Sequence, residues 1–333
     1  MRSRSGRCLL GGVSGLFGAM ALAFASPASA VTMDWTPVGN AGNACETQSQ
    51  GCFGAVGYDY LIGTYEVTNA QYAEFLNAKA PSDPLALYNT SMGSGQGGIT
   101  RSGSSGSYTY STIAGRADMP VNYVSFYDAL RFANWLNNGQ GSGDTETGAY
   151  TLLGGSPTPI NASLVTRNSG ANIFLTSEDE WYKAAYHDAI GLSATNYFDY
   201  PAASNTVTTC TAPTAVANSA NCDASGTDPS DADVDDLTVR GSFGGSASPH
   251  GTFDQGGNVW EWNEAAISGD RGMRGGTYLS SESFLAASQR FDLDPTAESD
   301  VLGFRVAMVP EPGTGLLVTM GLLGFACRRR NHD

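Results

Sequence analysis

The stretch Gly251–Asn263, GTFDQGGNVWEWN, sets Asp254 and Glu261 on either side of two adjacent glycines and places Trp260 and Trp262 around the second acid. Calcium takes six to eight oxygens at about 2.3–2.6 Å, some from carboxylates and some from backbone carbonyls. Two glycines let a chain curl so that successive carbonyls converge. The tryptophans then point away into a core and stiffen the curl. The same residues also fit a buried turn in which Glu261 pairs with Arg271, Arg274 or Arg305. A second acidic stretch, residues 231–236, alternates like the first half of an EF-hand loop. Asp236 stands where that loop needs Gly and Ser242 where it needs Glu, so the EF-hand reading fails. A loop-borne cation site and a solvated acidic loop remain. Other chemistries find little support. Between the processing segments at the two ends the histidines are His187 and His250, too few for a His-rich metal site. No H-E-x-x-H, P-loop or G-x-G-x-x-G before a helix occurs. His250 has no evident partner in the sequence, so no Ser-His-Asp constellation can be built.

The chain has 333 residues, and both ends read as processing segments. Residues 1–30 carry Arg2, Arg4 and Arg7, an apolar run from Cys8 to Ala25, and Ala28-Ser-Ala30, the pattern of a secretory signal peptide. The last 25 residues, 309–333, run from Val309-Pro-Glu-Pro312 through the apolar stretch Gly313–Cys327 to three arginines, Arg328–Arg330. Fifteen apolar residues make a short transmembrane helix, since a comfortable span needs about 20. The tripartite tail resembles the PEP-CTERM sorting signal of Gram-negative bacteria. That resemblance implies transient inner-membrane anchoring, cleavage by an exosortase, and delivery to the cell surface or extracellular matrix. Without the two ends the body carries 11 basic and 30 acidic residues, a balance near −19. Such a surface repels nucleic acid and attracts cations. The body keeps Cys45, Cys52, Cys210 and Cys222. Four cysteines in an exported chain suggest disulfides with three possible connectivities, of which Cys45–Cys52 and Cys210–Cys222 each close a short local loop.

The elements that would position these residues are short. Residues 31–60 read as loop with short strands, and Tyr60–Val67 alternates as a strand. Thr68 caps a helix over Asn69–Ala80, with Tyr72, Phe75 and Leu76 on one face. Ser91–Gly115 has no periodicity and reads as an exposed loop or flexible insertion. Ser125 caps a helix over Phe126–Asn138. Ile173–Leu175 is a short strand, and Ser177 with Glu180 forms a capping box for a third helix reaching His187. Arg240–Phe243 is a candidate strand in the polar stretch Tyr197–Ser248. Few helices, short strands and many loops argue for one α+β domain.

Six motifs occur in order: Tyr65-Glu-Val-Thr-Asn-Ala-Gln-Tyr72, Met119-Pro-Val-Asn-Tyr-Val-Ser125, Leu175-Thr-Ser-Glu-Asp-Glu-Trp181, Gly257-Asn-Val-Trp-Glu-Trp262, Arg274-Gly-Gly-Thr-Tyr278 and Gly303-Phe-Arg305. Together they resemble the formylglycine-generating enzyme, or sulfatase-modifying factor, domain, from about Tyr58 to Val309. The resemblance implies a single loop-rich domain of the C-type-lectin-like fold over 58–308, preceded by an N-terminal extension, 31–57. It also implies calcium, held by Asp254, the carbonyls of Gly257 and Val259, and Glu261, and a second site starting at Asn221 with a later acid among Asp233, Asp235 and Asp236.

The family's oxidase chemistry needs two cysteines, five positions apart, to bind copper. Ser280 and Leu285 stand at those positions. A hydroxyl is a poor Cu(I) ligand and an alkyl group is none, so copper is not expected. Two main expectations follow: a non-catalytic, calcium-stabilised surface or matrix module that binds a polysaccharide or surface protein, or an enzyme of altered chemistry in the same groove. The groove candidates are Trp260, Tyr278, Ser280, Ser281, Ser283 and Arg290. A calcium-dependent lectin is a weaker third, because the sugar-binding signatures W-N-D and E-P-N are absent.

Overall fold

Each of the three helices begins where a hydroxyl can satisfy the first free amides. The computed structural model describes residues 30–223 and 237–310. The signal-peptide residues before Ala30, the acidic run 231–236 and the tail from residue 311 lie outside them. Helix α1 is Asn69–Lys79, α2 is Phe126–Asn137 and α3 is Glu178–Tyr186. Thr68, Ser125 and Ser177 cap them, each in a reciprocal capping box with Gln71, Asp128 and Glu180. The capping residues and helix positions follow the sequence pattern, with ends moved by a residue or so.

A four-stranded antiparallel sheet runs in the order Trp35–Val38, Tyr60–Gly63, Val306–Met308, Ile173–Leu175. It joins the start of the domain to its end. The stretch read as an N-terminal extension therefore supplies an edge strand of the central sheet. A second sheet has the order Phe291–Leu293, Asp270–Arg274, Trp260–Ile267, Leu302–Phe304, and its last pair is parallel. The core between α1, α2 and this second sheet is aromatic. Phe75 meets Phe132 edge-on at 5.4 Å, and Phe132 meets Phe304 at 5.5 Å. Trp262 is buried there and donates its indole N–H to the Val124 carbonyl at 3.0 Å. The result is an α+β domain of short strands and long ordered loops.

Three sequence expectations need correction. The strand beginning at Tyr60 stops at Gly63, because Glu66 and Val67 turn inward to lead into α1. Ser91–Gly115 is not slack: Ile99–Ser102 pairs with Thr109–Thr112, and Met92, Ile99 and Tyr110 are buried. Those three widely spaced apolar residues in a Gly/Ser background carry too little periodicity to be read as a hairpin. Arg240–Phe243 forms no strand. It is a turn in which the Gly241 amide is used by Asp254. The cysteines pair as Cys45–Cys52 and Cys210–Cys222, at sequence separations of 7 and 12.

Candidate functional site

The turn before the strand Trp260–Ile267 is held by backbone contacts that only glycine permits at one point. Gly257 has φ +86, and a Cβ there would run into the Asn221 carbonyl. The Gly257 amide donates to the Gly275 carbonyl at 2.9 Å, and the Asn258 amide to the Asn221 carbonyl at 2.9 Å. The Asn258 carboxamide continues the lacing. Its Oδ1 accepts from Asn221 Nδ2 at 3.1 Å and from the Thr238 amide at 3.0 Å.

Glu261, the second residue of the strand Trp260–Ile267, enters a fully buried ion pair. Arg305 donates Nε to Oε2 at 2.5 Å and Nη2 to Oε1 at 2.6 Å, and the Trp181 indole donates to Oε2 at 2.7 Å. Arg305 also donates to the carbonyls of Gly63 and Phe253 at 3.0 and 3.1 Å. Of the three arginines the sequence offered to Glu261, Arg305 is the partner. Arg271 serves the carbonyls of Glu264 and Val165, and Arg274 pairs with Glu178.

Two further carboxylates share the locus. Asp254, half-buried at the surface of the turn, takes the Gly241 amide at 2.6 Å, and desolvation by the protein around it pushes its carboxyl up to about 6, with Glu261 adding to the rise and Arg305 opposing it. Glu66 is 2% exposed. Its Oε1 accepts from Asn258 Nδ2 at 3.3 Å, while Oε2 has no hydrogen-bond partner among the described residues and lies 4.0 Å from Arg305 Nη2. Burial, then the charge of Asp254, pushes Glu66 well above the usual carboxylate range.

These residues fit a hard divalent cation in donor type and charge. Three carboxyl groups, Glu66, Asp254 and Glu261, lie around one guanidinium. Glu261 Oε1 accepts a single N–H and keeps a lone pair. A cavity of about 20 Å³ opens beside Asp254, Thr252, Gln255 and Gly256, room for one water or ion, and of the expected ligands only Asp254 lines it. Among the described residues no three His, Cys, Asp or Glu side chains converge on one point. A cation here would therefore depend on two carboxylates and the Gly257 and Val259 carbonyls. Asn221 lies on the same turn, but the acids expected beside it are outside the described residues.

The groove candidates tell a different story. Ser280 Oγ accepts from the Thr277 amide at 3.0 Å and meets Thr277 Oγ1 at 3.1 Å, closing a local turn. Leu285 is 0% exposed and packs with Ala220 and Cys222. Gly276, at φ +76, lets the Leu285 side chain approach closely, since a Cβ there would come within 2.8 Å of it. Tyr278 is buried and its hydroxyl donates to Asp300 at 3.2 Å. Arg290 clamps Glu178 with two hydrogen bonds, at 2.8 and 2.7 Å. Ser281 and Ser283 bond each other at the surface. Trp260 packs against Phe291 at 4.8 Å, and Phe291 against Phe284 at 5.4 Å, leaving Phe284 37% exposed.

The structure also brings together residues the sequence left apart. His250 finds His187, with Nε2 and Nδ1 3.4 Å apart and the rings stacked. Burial, with His187 and Lys183 adding to it, lowers His250 to about 4. Glu66, Trp181 and Glu178 were missed as site residues. Glu66 and Trp181 lie in quoted motifs, yet each could equally have been a cap or core residue until its partner was placed.

The chain matches the sulfatase-modifying factor enzyme 1-like domain family over residues 39–309 and the PEP-CTERM protein-sorting motif over residues 309–330. Among solved structures it is similar to CarF, with 21% identity over 84% of this chain and 99% of that one and a TM-score of 0.56. A variable protein 1 of Treponema denticola gives 17% identity over 86% and 98% of the chains at a TM-score of 0.49. PvdO from Pseudomonas aeruginosa gives 17% over 84% and 92% at 0.44. No curated protein matches the chain. The sorting motif marks the protein for export to the cell surface of a Gram-negative bacterium with exosortase processing. Among the described residues no helix is long and apolar enough to cross a membrane. The match spans most of the chain, and the protein belongs to the sulfatase-modifying factor enzyme 1-like domain family.

Proposed function

We propose that this protein is a non-catalytic, calcium-stabilised binding module that keeps the scaffold of its family and has lost the oxidase centre. The observation that carries this reading is Leu285. At a position where the resemblance calls for a copper-binding thiolate, a wholly buried alkyl side chain fills the space between the loop and the Cys210–Cys222 disulfide. Ser280, at the other such position, spends its hydroxyl on its own turn. All four cysteines among the described residues are in disulfides, and a disulfide sulfur is no thiolate ligand.

Calcium would be held by Asp254, the Gly257 and Val259 carbonyls and Glu261. It would supply positive charge beside Asp254 and Glu66, which Arg305 does not pair by hydrogen bond. Its role is structural: it would hold the turn against the start of the strand Trp260–Ile267.

The binding surface we favour is the ring cluster of Phe284, Phe291 and Trp260, flanked by exposed Leu279. Phe284 is the exposed ring of this cluster, and an exposed ring on an acidic protein suits the flat face of a neutral polysaccharide better than an anionic one. Two measurements test the proposal. Cu(I) binding and oxidation of a cysteine-containing peptide should both be absent, and tight copper binding with turnover would overturn the reading. Retention by neutral matrix polysaccharide in affinity electrophoresis should drop on Phe284→Ala, and an unchanged mobility shift would exclude this surface.

A further inference from the structure

We infer that the cleft between the loop 40–45 and the turn 187–197 is a subsite for neutral sugar residues. The inference rests on the polysaccharide reading above and names a second place where such a ligand is held. A cavity of about 430 Å³ lies there, lined by Asn40, Asn43, His187, Thr195, Asn196 and Tyr197, with Ile190 as an apolar lip. Sites for small ligands run from about 300 to 1,000 Å³. The walls are fixed before any ligand arrives. The Asp188 carboxylate accepts the amides of Ile190 and Gly191 at 3.1 Å each, and that of Ser193. His187 pairs with Tyr197 across the base of the turn. The Tyr197 hydroxyl ties the two walls together, donating to the Ala44 carbonyl at 2.7 Å and accepting from Asn43 Nδ2 at 2.8 Å. The Cys45–Cys52 disulfide holds the end of the loop. Walls built in advance spare a ligand the cost of ordering them.

The groups left over select the ligand. Asn196 is exposed, and its carboxamide makes no hydrogen bond among the described residues. The exposed Asn40 carboxamide meets His187 Nε2 at 3.4 Å. A carboxamide is both donor and acceptor, and so is a sugar hydroxyl. No free charge faces the cleft. Its one carboxylate, Asp188, is spent on three backbone amides. Neither Lys nor Arg lines it. Lys183 lies buried behind the wall, with Nζ donating to the Asn40 carbonyl at 3.0 Å. Burial, with Lys183 adding to it, lowers His187. His250, 3.4 Å from His187, is lowered to about 4 by burial and those same neighbours. Both imidazoles are therefore uncharged at neutral pH. A charged ligand would find nothing here to repay its desolvation, whereas hydroxyls exchange water for carboxamides at little cost. The cleft thus supplies hydrogen bonds where the rings around Phe284 supply a stacking face.

Short oligosaccharides test the inference on the full chain in mild detergent. Wild type should bind at least one of cellohexaose, mannohexaose and laminarihexaose in titration calorimetry, and should not bind an oligogalacturonate of the same length. Asn40→Gly and Asn196→Gly remove the carboxamides while keeping the left-handed backbone, φ +62 and +61, which glycine adopts freely. Together they should weaken binding about tenfold or more, the effect of losing several hydrogen bonds. Ala189→Trp, at an exposed position of the lining, should fill the cleft and abolish binding. Either set of variants decides the matter if the other does not fold. Affinity unchanged in N40G/N196G or in A189W overturns the inference, and so does an oligogalacturonate that binds as tightly as the neutral sugars. If soluble polymers of the same sugars are retained in affinity electrophoresis but no hexasaccharide binds, the polysaccharide reading stands and the subsite is wrong. If neither polymer nor hexasaccharide binds, the polysaccharide reading fails and this inference fails with it.

Discussion

The turn 251–263 and the loop 276–291 lie side by side, joined by the hydrogen bond from the Tyr278 amide to the Asn258 carbonyl at 3.0 Å, and they have solved opposite problems. The turn keeps polar groups in the interior: Glu261, Asn258 and Asn263 are buried, Asp254 is half-buried, and Arg305 and Glu66 join them from elsewhere in the chain. Such groups are costly to bury and are retained where something must be held. The loop has gone the other way. Leu285 is packed as an ordinary core residue, and the hydroxyls that remain bond to their nearest neighbours. A fold can shed a reactive centre by filling it with apolar atoms, while a charge-holding turn built into two sheets cannot be emptied without loosening both.

Substitutions can break or sharpen this contrast. The largest effect is expected at Arg305. Arg305→Met leaves Glu261 buried and unpaired, so stability to denaturant should fall by about 3–5 kcal/mol or the domain should fail to fold. A loss under about 1 kcal/mol would show that the cluster is already neutral by other means. Next comes Leu285→Ala. If the loop is true core, urea unfolding should show a loss of about 2–5 kcal/mol. A near-neutral result would mean that the space collapses or admits water, and the loop would again be a candidate groove. Ser280→Ala removes one local acceptor and should cost about 1 kcal/mol in the same assay.

At neutral pH the smallest expected effect is at His250, beside the turn, where it emerges only as pH falls. His250 has its pKa lowered to about 4 by burial, His187 and Lys183, with Asp188 opposing. The unfolded chain takes up this proton near 6.5 and the folded one refuses it until about 4. Stability should therefore decline as pH falls through that window. His250→Gln should flatten the decline, measured by melting temperature against pH. An unchanged slope would place the acid sensitivity elsewhere.

Much of this contrast was legible in the sequence, and the part that was not has a physical cause. Thr68, Ser125 and Ser177 announce their helices because capping is a local interaction between residues three apart. Ser280 and Leu285 stand out because the resemblance expects cysteines at their positions. The pairing of Glu261 was narrowed to three arginines and no further, since choosing Arg305 requires the parallel pairing of Trp260–Trp262 with Leu302–Phe304. The importance of Glu66 depends on the approach of segments about 190 residues apart, and no periodicity encodes that. The hairpin within residues 99–112 escaped because Gly and Ser dominate its composition although its few apolar residues reach the core.

The central claim is that the cation centre survives in this chain where the thiolate centre does not. Calorimetric melting in EDTA, followed by calcium addition, tests it most directly. At a calcium concentration about 100 times the dissociation constant, binding to the folded state alone adds about 2.7 kcal/mol. The account therefore predicts a lower melting temperature in EDTA that calcium restores. A melting temperature identical in EDTA and in excess calcium would contradict it.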